Sequence, residues 1–328
     1  MKTWQQTRTL LGLLAAGLVA LAPAGAQTAG WPSKPIHLIE PAGPGSAVDV
    51  FARRLAPMLA EALGQQVVIE NRAGGNSAIG AREAARAAPD GYTLFHGNIN
   101  NSLNDLLLND ACCRLNEALI PVARLTVTPL VMVVNAGVAA PDLAAFIALA
   151  KAQPQLVTMA SSGPGSITQL LGEKFKLTAG ISAREIPYKA IGAELPDLLA
   201  GHVMVAFLSP VVVQQHIRSG KLRALGVASG QRLAILPQVP TLAEGGLPGV
   251  EASGWNGLFV PAGTPKAIIN RLAAETAKAV SSPAMKEDAA ATGYELDAAG
   301  PEAFAEYVRA EIVKWRKVIK DSNIQLER

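Results

Sequence analysis

The sequence predicts an α/β protein of about two domains, each built on a largely parallel sheet. Short apolar segments alternate with helical patterns, which is typical of strands joined by right-handed crossovers. The alternation is interrupted around residues 100–124 and then starts again. A Gly-Pro-Gly-Ser loop also stands between a strand and a helix in each half of the chain, at residues 43–46 and 163–166.

The chain begins with the features of a secretory signal peptide. Lys2 and Arg8 precede an apolar run of 13 residues, and Ala24-Gly25-Ala26 fits a small-residue cleavage site. The run is shorter than the ~20 residues of a membrane-spanning helix, although an uncleaved anchor is the alternative interpretation. Cleavage after Ala26 would leave 302 of the 328 residues, enough for about two domains.

Charge and composition argue against nucleic-acid binding and against common catalytic sites. Without residues 1–26 the chain has 27 Lys and Arg against 26 Asp and Glu, a net charge of +1, and no basic cluster. Its four histidines show no zinc-binding spacing, and no other cofactor motif is found. No Gly-x-Ser-x-Gly elbow or recognisable acidic pair is present. An α/β enzyme remains an alternative, but the sequence favours a non-catalytic protein without a metal or cofactor.

The only two cysteines, Cys112 and Cys113, are adjacent. Neighbouring Cα atoms lie ~3.8 Å apart, below the usual disulfide range of ~4.4–6.8 Å. A strained vicinal disulfide in an oxidising compartment and two free thiols are both open interpretations.

The first half of the mature chain has the order strand, helix, strand, helix, strand. Its first helix has one apolar face and ends at Gly64, and the turn residues Pro89-Asp90-Gly91 follow the second helix. The predicted elements are Ile36–Glu40, Val48–Leu63, Val67–Glu70, Ile79–Ala88 and Tyr92–Gly97.

The same order resumes after residue 124. A Pro/Gly-rich segment, residues 236–253, is predicted to return along the surface between the two domains. The apolar stripe of the last helix is predicted to pack in the core. The predicted strands of this half are Pro129–Asn135, Gln155–Ala160, Arg184–Pro187, Val203–Leu208 and Leu222–Ala228, and the helices are Asp142–Gln153, Ser166–Ala179, Gly192–Leu199, Val211–Ser219, Pro265–Ser281 and Glu302–Asp321.

Each Gly-Pro-Gly-Ser loop leads into a helix start, where the first amide N–H groups have no intrahelical partner and attract anions. Ser46 and Ser166 could add hydroxyl donors or simply cap the helices. Val48 and Thr168 stand where a dinucleotide fingerprint requires a third glycine, so neither loop is a nucleotide motif. A single loop of this kind is most simply a turn, but two matched loops predict one anion held across a cleft.

Several stretches resemble the Bug-type receptors, which are the extracytoplasmic solute-binding proteins of tripartite tricarboxylate transporters. They include "VVIENRAGGNSAIGAREAARAAPDGYTL", "IPYKAIGAELPDLLAGHVMVAF" and "LPQVPTLAEGGLPGVEASGWNGLFVPAGTPKAIINRL". The resemblance covers nearly the whole mature chain. It implies a type II periplasmic-binding-protein fold, in which each of two lobes is a mostly parallel sheet flanked by helices and the ligand lies between them. Residues 27–130 plus 254–328 would form the first lobe, and residues 131–253 the second.

The same resemblance implies which loops hold a ligand carboxylate, partly through water. They are the loop after the first strand and the Ser/Gly loop of the second lobe, with three further segments walling the pocket. The implied ligand-binding residues are Pro41, Ala42, Gly45, Ser46, Ala47, Asp49, Gly97, Asn98, Ser161, Ser162, Gly165, Ser166, Gln169, Tyr188 and Leu208.

The chain departs from the family pattern at positions that bear on the ligand. Ser46 replaces a glycine, Val48 a threonine and Gln169 a histidine, while Leu208 stands at a position that is frequently polar or acidic. Carboxylate anchoring by amides and hydroxyls survives these changes. Val48 and Leu208 indicate a less polar acid.

These observations predict a monomeric periplasmic receptor that captures a small organic carboxylate and delivers it to a membrane permease. The alternative is a ligand sensor that feeds a signalling partner. Both would use the same binding chemistry.

Overall fold

The computed structural model describes residues 30–107, 114–189 and 192–321, and all the elements below lie in the unit that begins at Pro32. The predicted signal peptide and the cysteine pair lie outside the described residues. The strands are β1 (Ile36–Glu40), β2 (Val67–Asn71), β3 (Thr93–Asn98), β4 (Leu119–Pro129), β5 (Val131–Asn135), β6 (Thr158–Ser161), β7 (Arg184–Pro187), β8 (Val205–Leu208), β9 (Leu222–Val227) and β10 (Ser253–Pro261).

The helices cover the faces of the sheets. They are α1 (Ala47–Leu63), α2 (Ala78–Ala85), α3 (Ile99–Leu107), α4 (Leu143–Ala152), α5 (Ile167–Ala179), α6 (Leu195–Ala200), α7 (Pro210–Arg218), α8 (Lys266–Val280), α9 (Pro283–Thr292) and α10 (Pro301–Asp321). Among the described residues, no helix is both long enough and apolar enough to cross a bilayer.

The strands form two five-stranded sheets with the same plan, which confirms the two-lobed α/β class. The first sheet has the order β2-β1-β3-β10-β4 and the second β7-β6-β8-β5-β9. In the first, β1 runs parallel to β2 and β3, and β10 is antiparallel to both of its neighbours. In the second, β6 runs parallel to β7 and β8, and β5 is antiparallel to both of its neighbours.

Each sheet is therefore mixed, with parallel and antiparallel pairings in equal number, rather than mostly parallel. The reason lies in the chain path between the sheets. The antiparallel strand in the fourth position of each sheet, β10 or β5, is the one that the chain enters on arriving from the other sheet. Such a strand is not part of a βαβ unit, so no crossover helix forces it to run parallel.

Several elements were absent from the sequence prediction. Residues 119–135 form two strands that break at Leu130, where only the segment from Pro129 was predicted. The strand β10 and the helices α3 and α9 were not predicted at all. The strand β10 contains two glycines and ends in proline, and α3 reads INNSLNDLL, so both have compositions typical of loops.

The apolar stripe of the last helix lies in the core, as predicted. Phe304, Val308 and Trp315 are almost fully buried. The Phe304 ring meets Trp255 of β10 edge to face, with 5.5 Å between ring centroids. This helix therefore packs against the first sheet at β10, the strand that the chain enters on its return from the second sheet.

Candidate functional site

The two Gly-Pro-Gly-Ser loops have the same hydrogen-bond arrangement. The amide of Gly45 donates to Asp49 Oδ2 at 2.9 Å, and the amide of Gly165 donates to Gln169 Oε1 at 2.6 Å. Both glycines have left-handed backbone conformations, with φ of +81° and +75°. A side chain on the first turn of each helix thus holds the preceding loop in place.

The serine of each loop is the N-cap of the following helix. Ser46 Oγ accepts from the Asp49 amide at 3.3 Å, and Ser166 Oγ accepts from the Gln169 amide at 3.2 Å. Both serines are almost fully buried. Of the two roles left open by the sequence, these hydroxyls therefore perform the capping role.

Asp49 is held by three partners. Besides the loop amide, Oδ2 accepts from Arg53 Nε at 2.9 Å and Oδ1 accepts from Asn71 Nδ2 at 2.9 Å. Burial opposes ionisation of the carboxyl, but the hydrogen bonds from Arg53, Asn71 and the Gly45 amide together lower the pKa of Asp49. Asp49 is an ionised structural anchor of the first loop.

Both helix starts line one cavity of about 80 Å³ between the two sheets. Ala47 and Val48 come from the start of α1, while Ile167 and Thr168 come from the start of α5. The first residues of the two helices thus converge on one cavity, while the anion site predicted there stays a prediction. The other lining residues are Asn98, Ile99, Thr126, Thr128, Leu130, Ser162, Glu194, Phe207, Leu208, Ser209, Gly254, Trp255, Asn256 and Tyr294.

Most polar side chains of this cavity are serine, threonine and asparagine, which carry no formal charge. Among the residues that the structure describes, neither lysine nor arginine lines it. The first amides of α1 and α5 carry the partial positive charge of a helix start and have no intrahelical acceptor. An anion in this cavity would therefore be stabilised by amides and hydroxyls rather than by an ion pair.

Four of the residues predicted from the sequence line this cavity: Ala47, Asn98, Ser162 and Leu208. Ser162 and Tyr188 also line an adjoining basin of about 740 Å³. The remaining predicted residues do not line either space. They are Pro41, Ala42, Gly45, Ser46, Asp49, Gly97, Ser161, Gly165, Ser166 and Gln169.

Most of these remaining residues support the lining from behind. Ser161 Oγ donates to Glu185 Oε1 at 2.5 Å, and Gln169 Nε2 donates to Glu185 Oε2 at 3.0 Å. Gly97 is packed so closely that an added Cβ would lie 2.6 Å from the Phe259 ring. These positions do not line the cavity in this structure, and their predicted contacts with a ligand stay a prediction.

Contacts between described residues join the two sides of the cleft near the loops. Asn100 Oδ1 accepts from the Ile167 amide at 2.9 Å, so a side chain of α3 caps the start of α5. Gly165 lies against the side chain of Leu107. A Cβ added to Gly192 would lie 3.1 Å from Ser46 Cβ.

Sequence reasoning missed Glu194, a carboxyl group in the wall of the cavity. Its side chain is 1% exposed, and Oε2 has no hydrogen-bond partner. Burial raises the pKa of Glu194 to about 7, against the effect of hydrogen bonds from two backbone amides and Ser162. The only sequence signal was an acidic residue just before a short helix, which is common in N-terminal turns.

Sequence reasoning also missed the wall contributed by β10 and the segment after α9. Trp255 and Asn256 belong to a strand that was not predicted, and the hydroxyl of Tyr294 donates to the Ala47 carbonyl at 2.6 Å. Trp255 Nε1 is buried without a hydrogen-bond partner. The cavity wall thus holds a second polar atom whose hydrogen-bonding capacity is unused.

His96 lies behind this wall and is fully buried. Its Nδ1 is 2.6 Å from Glu40 Oε2, and its Nε2 is 3.1 Å from Asn256 Oδ1. Asn256 in turn donates to Thr126 Oγ1 at 2.8 Å. His96 does not line the cavity, but it orients the side-chain amide of Asn256, which does.

Comparison with known proteins agrees with this architecture. Residues 51–324 match the model of the "Tripartite tricarboxylate transporter family receptor". Protein BugT of Bordetella pertussis is 37% identical over 320 residues, which cover 97% of this chain and 98% of BugT.

Solved structures extend the likeness to three dimensions. The periplasmic binding protein BugD has a TM-score of 0.85 at 26% identity, covering 90% of this chain and 99% of BugD. MatC from Rhodopseudomonas palustris, solved with bound malate, has a TM-score of 0.83 at 28% identity, covering 88% of this chain and 100% of MatC. An R. palustris protein solved with adipate has a TM-score of 0.85 at 29% identity, covering 90% of this chain and 99% of that protein.

The family match spans most of the chain, and these structural neighbours share its two-sheet architecture. The chain therefore belongs to the tripartite tricarboxylate transporter receptor family and is a solute-binding receptor rather than an enzyme.

Proposed function

We propose that this receptor captures a small organic carboxylate in the cavity between its two sheets, in the periplasm, and delivers it to the membrane permease of a tripartite tricarboxylate transporter. The observation that carries the proposal is the convergence of Ala47 and Val48 with Ile167 and Thr168 on one cavity. Two helix starts then act on one negative charge.

The apolar surroundings would strengthen this interaction. Isoleucine, leucine, valine and aromatic side chains form much of the wall, and a hydrogen bond to an ionised acceptor gains strength where water is excluded. Closure of two lobes, residues 27–130 plus 254–328 on residues 131–253, would complete the water-excluded site. The binding of malate by one structural neighbour and of adipate by another supports this ligand class.

The test measures the binding of malate, adipate and a panel of monocarboxylates by thermal shift and calorimetry. Ala47→Glu and Ala47→Gln form a matched pair of nearly equal size, and an acidic side chain at the first helical position does not destabilise the helix. We expect the glutamate variant to bind acids at least tenfold more weakly than the glutamine variant. Equal affinities of the two variants would contradict anion binding at the helix starts.

A further inference from the structure

The cavity contains a carboxyl group that lacks a cationic partner. Glu194 lines it with 1% of its side chain exposed, and its Oε2 atom makes no hydrogen bond. An ionised carboxylate in such a place would be costly, because buried charges need a partner or water. The ionised form would also repel a carboxylate ligand in the same small space.

The surrounding titratable groups do not relieve this conflict. Tyr294 shares the cavity, and its pKa is raised by burial, so it stays neutral. Behind the walls, the nearby acids and bases already have partners: Asp197 accepts from the Tyr188 hydroxyl at 2.7 Å, and Glu40 pairs with His96. Two further groups, Asp49 and Arg53, are paired with each other behind the start of α1.

We propose that Glu194 takes part in ligand capture as a neutral acid, donating its proton in a hydrogen bond to the bound carboxylate, so that binding above neutral pH is coupled to uptake of one proton. The inference rests on the proposed carboxylate-binding function. It makes Glu194 a position that restricts ligands to those able to accept a hydrogen bond there.

Two observations support a donor role over an acceptor role. The free oxygen shares the cavity with two helix starts, whose partial positive charge favours an anionic ligand group over a cationic one. Burial also keeps the pKa of Glu194 near 7, so that the proton is available under periplasmic conditions. A ligand ammonium group would instead require the ionised form.

The proton uptake can be measured on the unaltered protein. Calorimetry of malate and adipate binding at pH 8, in two buffers with different ionisation enthalpies, should show an uptake of about one proton per ligand. Affinity should be nearly constant between about pH 6 and 7, where the ligand stays ionised, and fall about tenfold per pH unit above pH 7. Absence of uptake, or an affinity that rises with pH and so indicates a cationic ligand group, would overturn the inference.

The isosteric variant Glu194→Gln supplies a ligand-free test, with Glu306→Gln on the exposed face of α10 as its control. A carboxyl group with a raised pKa in the folded state makes the protein less stable as pH rises from about 4.5 to 7. The melting temperature of Glu194→Gln should therefore exceed that of the wild type by a margin that grows by several degrees between pH 5 and pH 8. The control should follow the wild type.

The two tests separate this inference from the function on which it rests. Failure of both acids to bind at any pH would count against the proposed ligand class, while the melting comparison would still report the protonation of Glu194. A temperature margin that does not change with pH would show that Glu194 is not neutral, and would overturn the inference even if both acids bind.

Discussion

Asn100 Oδ1 accepts the backbone amide of Ile167 at 2.9 Å, which joins a helix of the first sheet to the start of α5 beside the second sheet. The asparagine is fully buried. This amide is one of the first of α5 and has no intrahelical acceptor, so Asn100 supplies its partner from the other side of the cleft. The approach of the two sides of the cleft is thus stabilised by a hydrogen bond that joins them.

We expect Asn100→Ala to weaken closure without unfolding the protein. Loss of one buried hydrogen bond should reduce ligand affinity roughly 5- to 20-fold, equivalent to about 1–2 kcal/mol. The radius of gyration of the unliganded protein should also increase in small-angle scattering. Asn104→Ala is the control, because Asn104 bonds Asn76 on its own side of the cleft. An effect of equal size in both variants would contradict a bridging role.

The hydrogen bonds that hold the first loop give a second prediction, because Asp49 accepts hydrogen bonds on both carboxylate oxygens. In Asp49→Asn, the new NH₂ group must face either the Asn71 amide or the loop amide and Arg53, and all three are donors. We expect a loss of about 1–3 kcal/mol in the free energy of unfolding at pH 7. Asp142→Asn is the matched control, since Asp142 caps α4 at an exposed site where asparagine serves equally well.

The same variant should show the sign of the Asp49 pKa shift. A carboxyl group with a lowered pKa in the folded state contributes stability above its unfolded pKa of 3.8, and this contribution disappears as pH falls through the folded value. The stability difference between wild type and Asp49→Asn should stay constant from pH 8 to about 5 and narrow below pH 4. Urea denaturation across this pH range measures the stability difference. A difference that widens below pH 4 would contradict a lowered pKa of Asp49.

These loops were predictable because their conformation depends on local chemistry. Gly45 and Gly165 have the positive φ that glycine favours, and a serine before an apolar helix is a common N-cap. Residues brought in by distant packing were not predictable. The helix α3 was missed because its asparagines are typical of loops, yet Asn98 Oδ1 accepts the Asn100 amide and Asn101 Oδ1 accepts the Asn98 amide, which fixes its first turn.

Glu194 illustrates the same limit for the site. Its importance comes from its burial in the cavity wall, and no spacing in the sequence reports that burial. The wall formed by Trp255 and Asn256 depends on insertion of β10 between β3 and β4, a pairing of residues more than a hundred positions apart.

The buried pair of His96 and Glu40 predicts a strong stability effect. Both side chains are fully buried, and among the described residues removal of the imidazole leaves the carboxylate with the Ala42 amide as its hydrogen-bond partner, at 3.0 Å. We expect His96→Leu to lower the free energy of unfolding by about 3–5 kcal/mol. His37→Leu removes a similar but half-exposed contact with Glu70, and should change it by about 1 kcal/mol or less. Similar losses of stability in the two variants would contradict the strong effect predicted for the buried pair.

The contact of Gly165 with Leu107 gives a double-mutant test of closure. Alanine at Gly165 or at Gly45 would have the same unfavourable positive φ, costing about 1–2 kcal/mol of stability. Only at Gly165 does the added Cβ also meet a side chain from across the cleft, since nothing lies within 4 Å at Gly45. We therefore expect Gly165→Ala to weaken carboxylate binding more than Gly45→Ala does, and Leu107→Ala to restore part of that loss in the double variant. Calorimetry of the four proteins gives the coupling energy. Because Leu107→Ala cannot relieve backbone strain, a coupling near zero would mean that the two sides do not approach each other here when ligand binds.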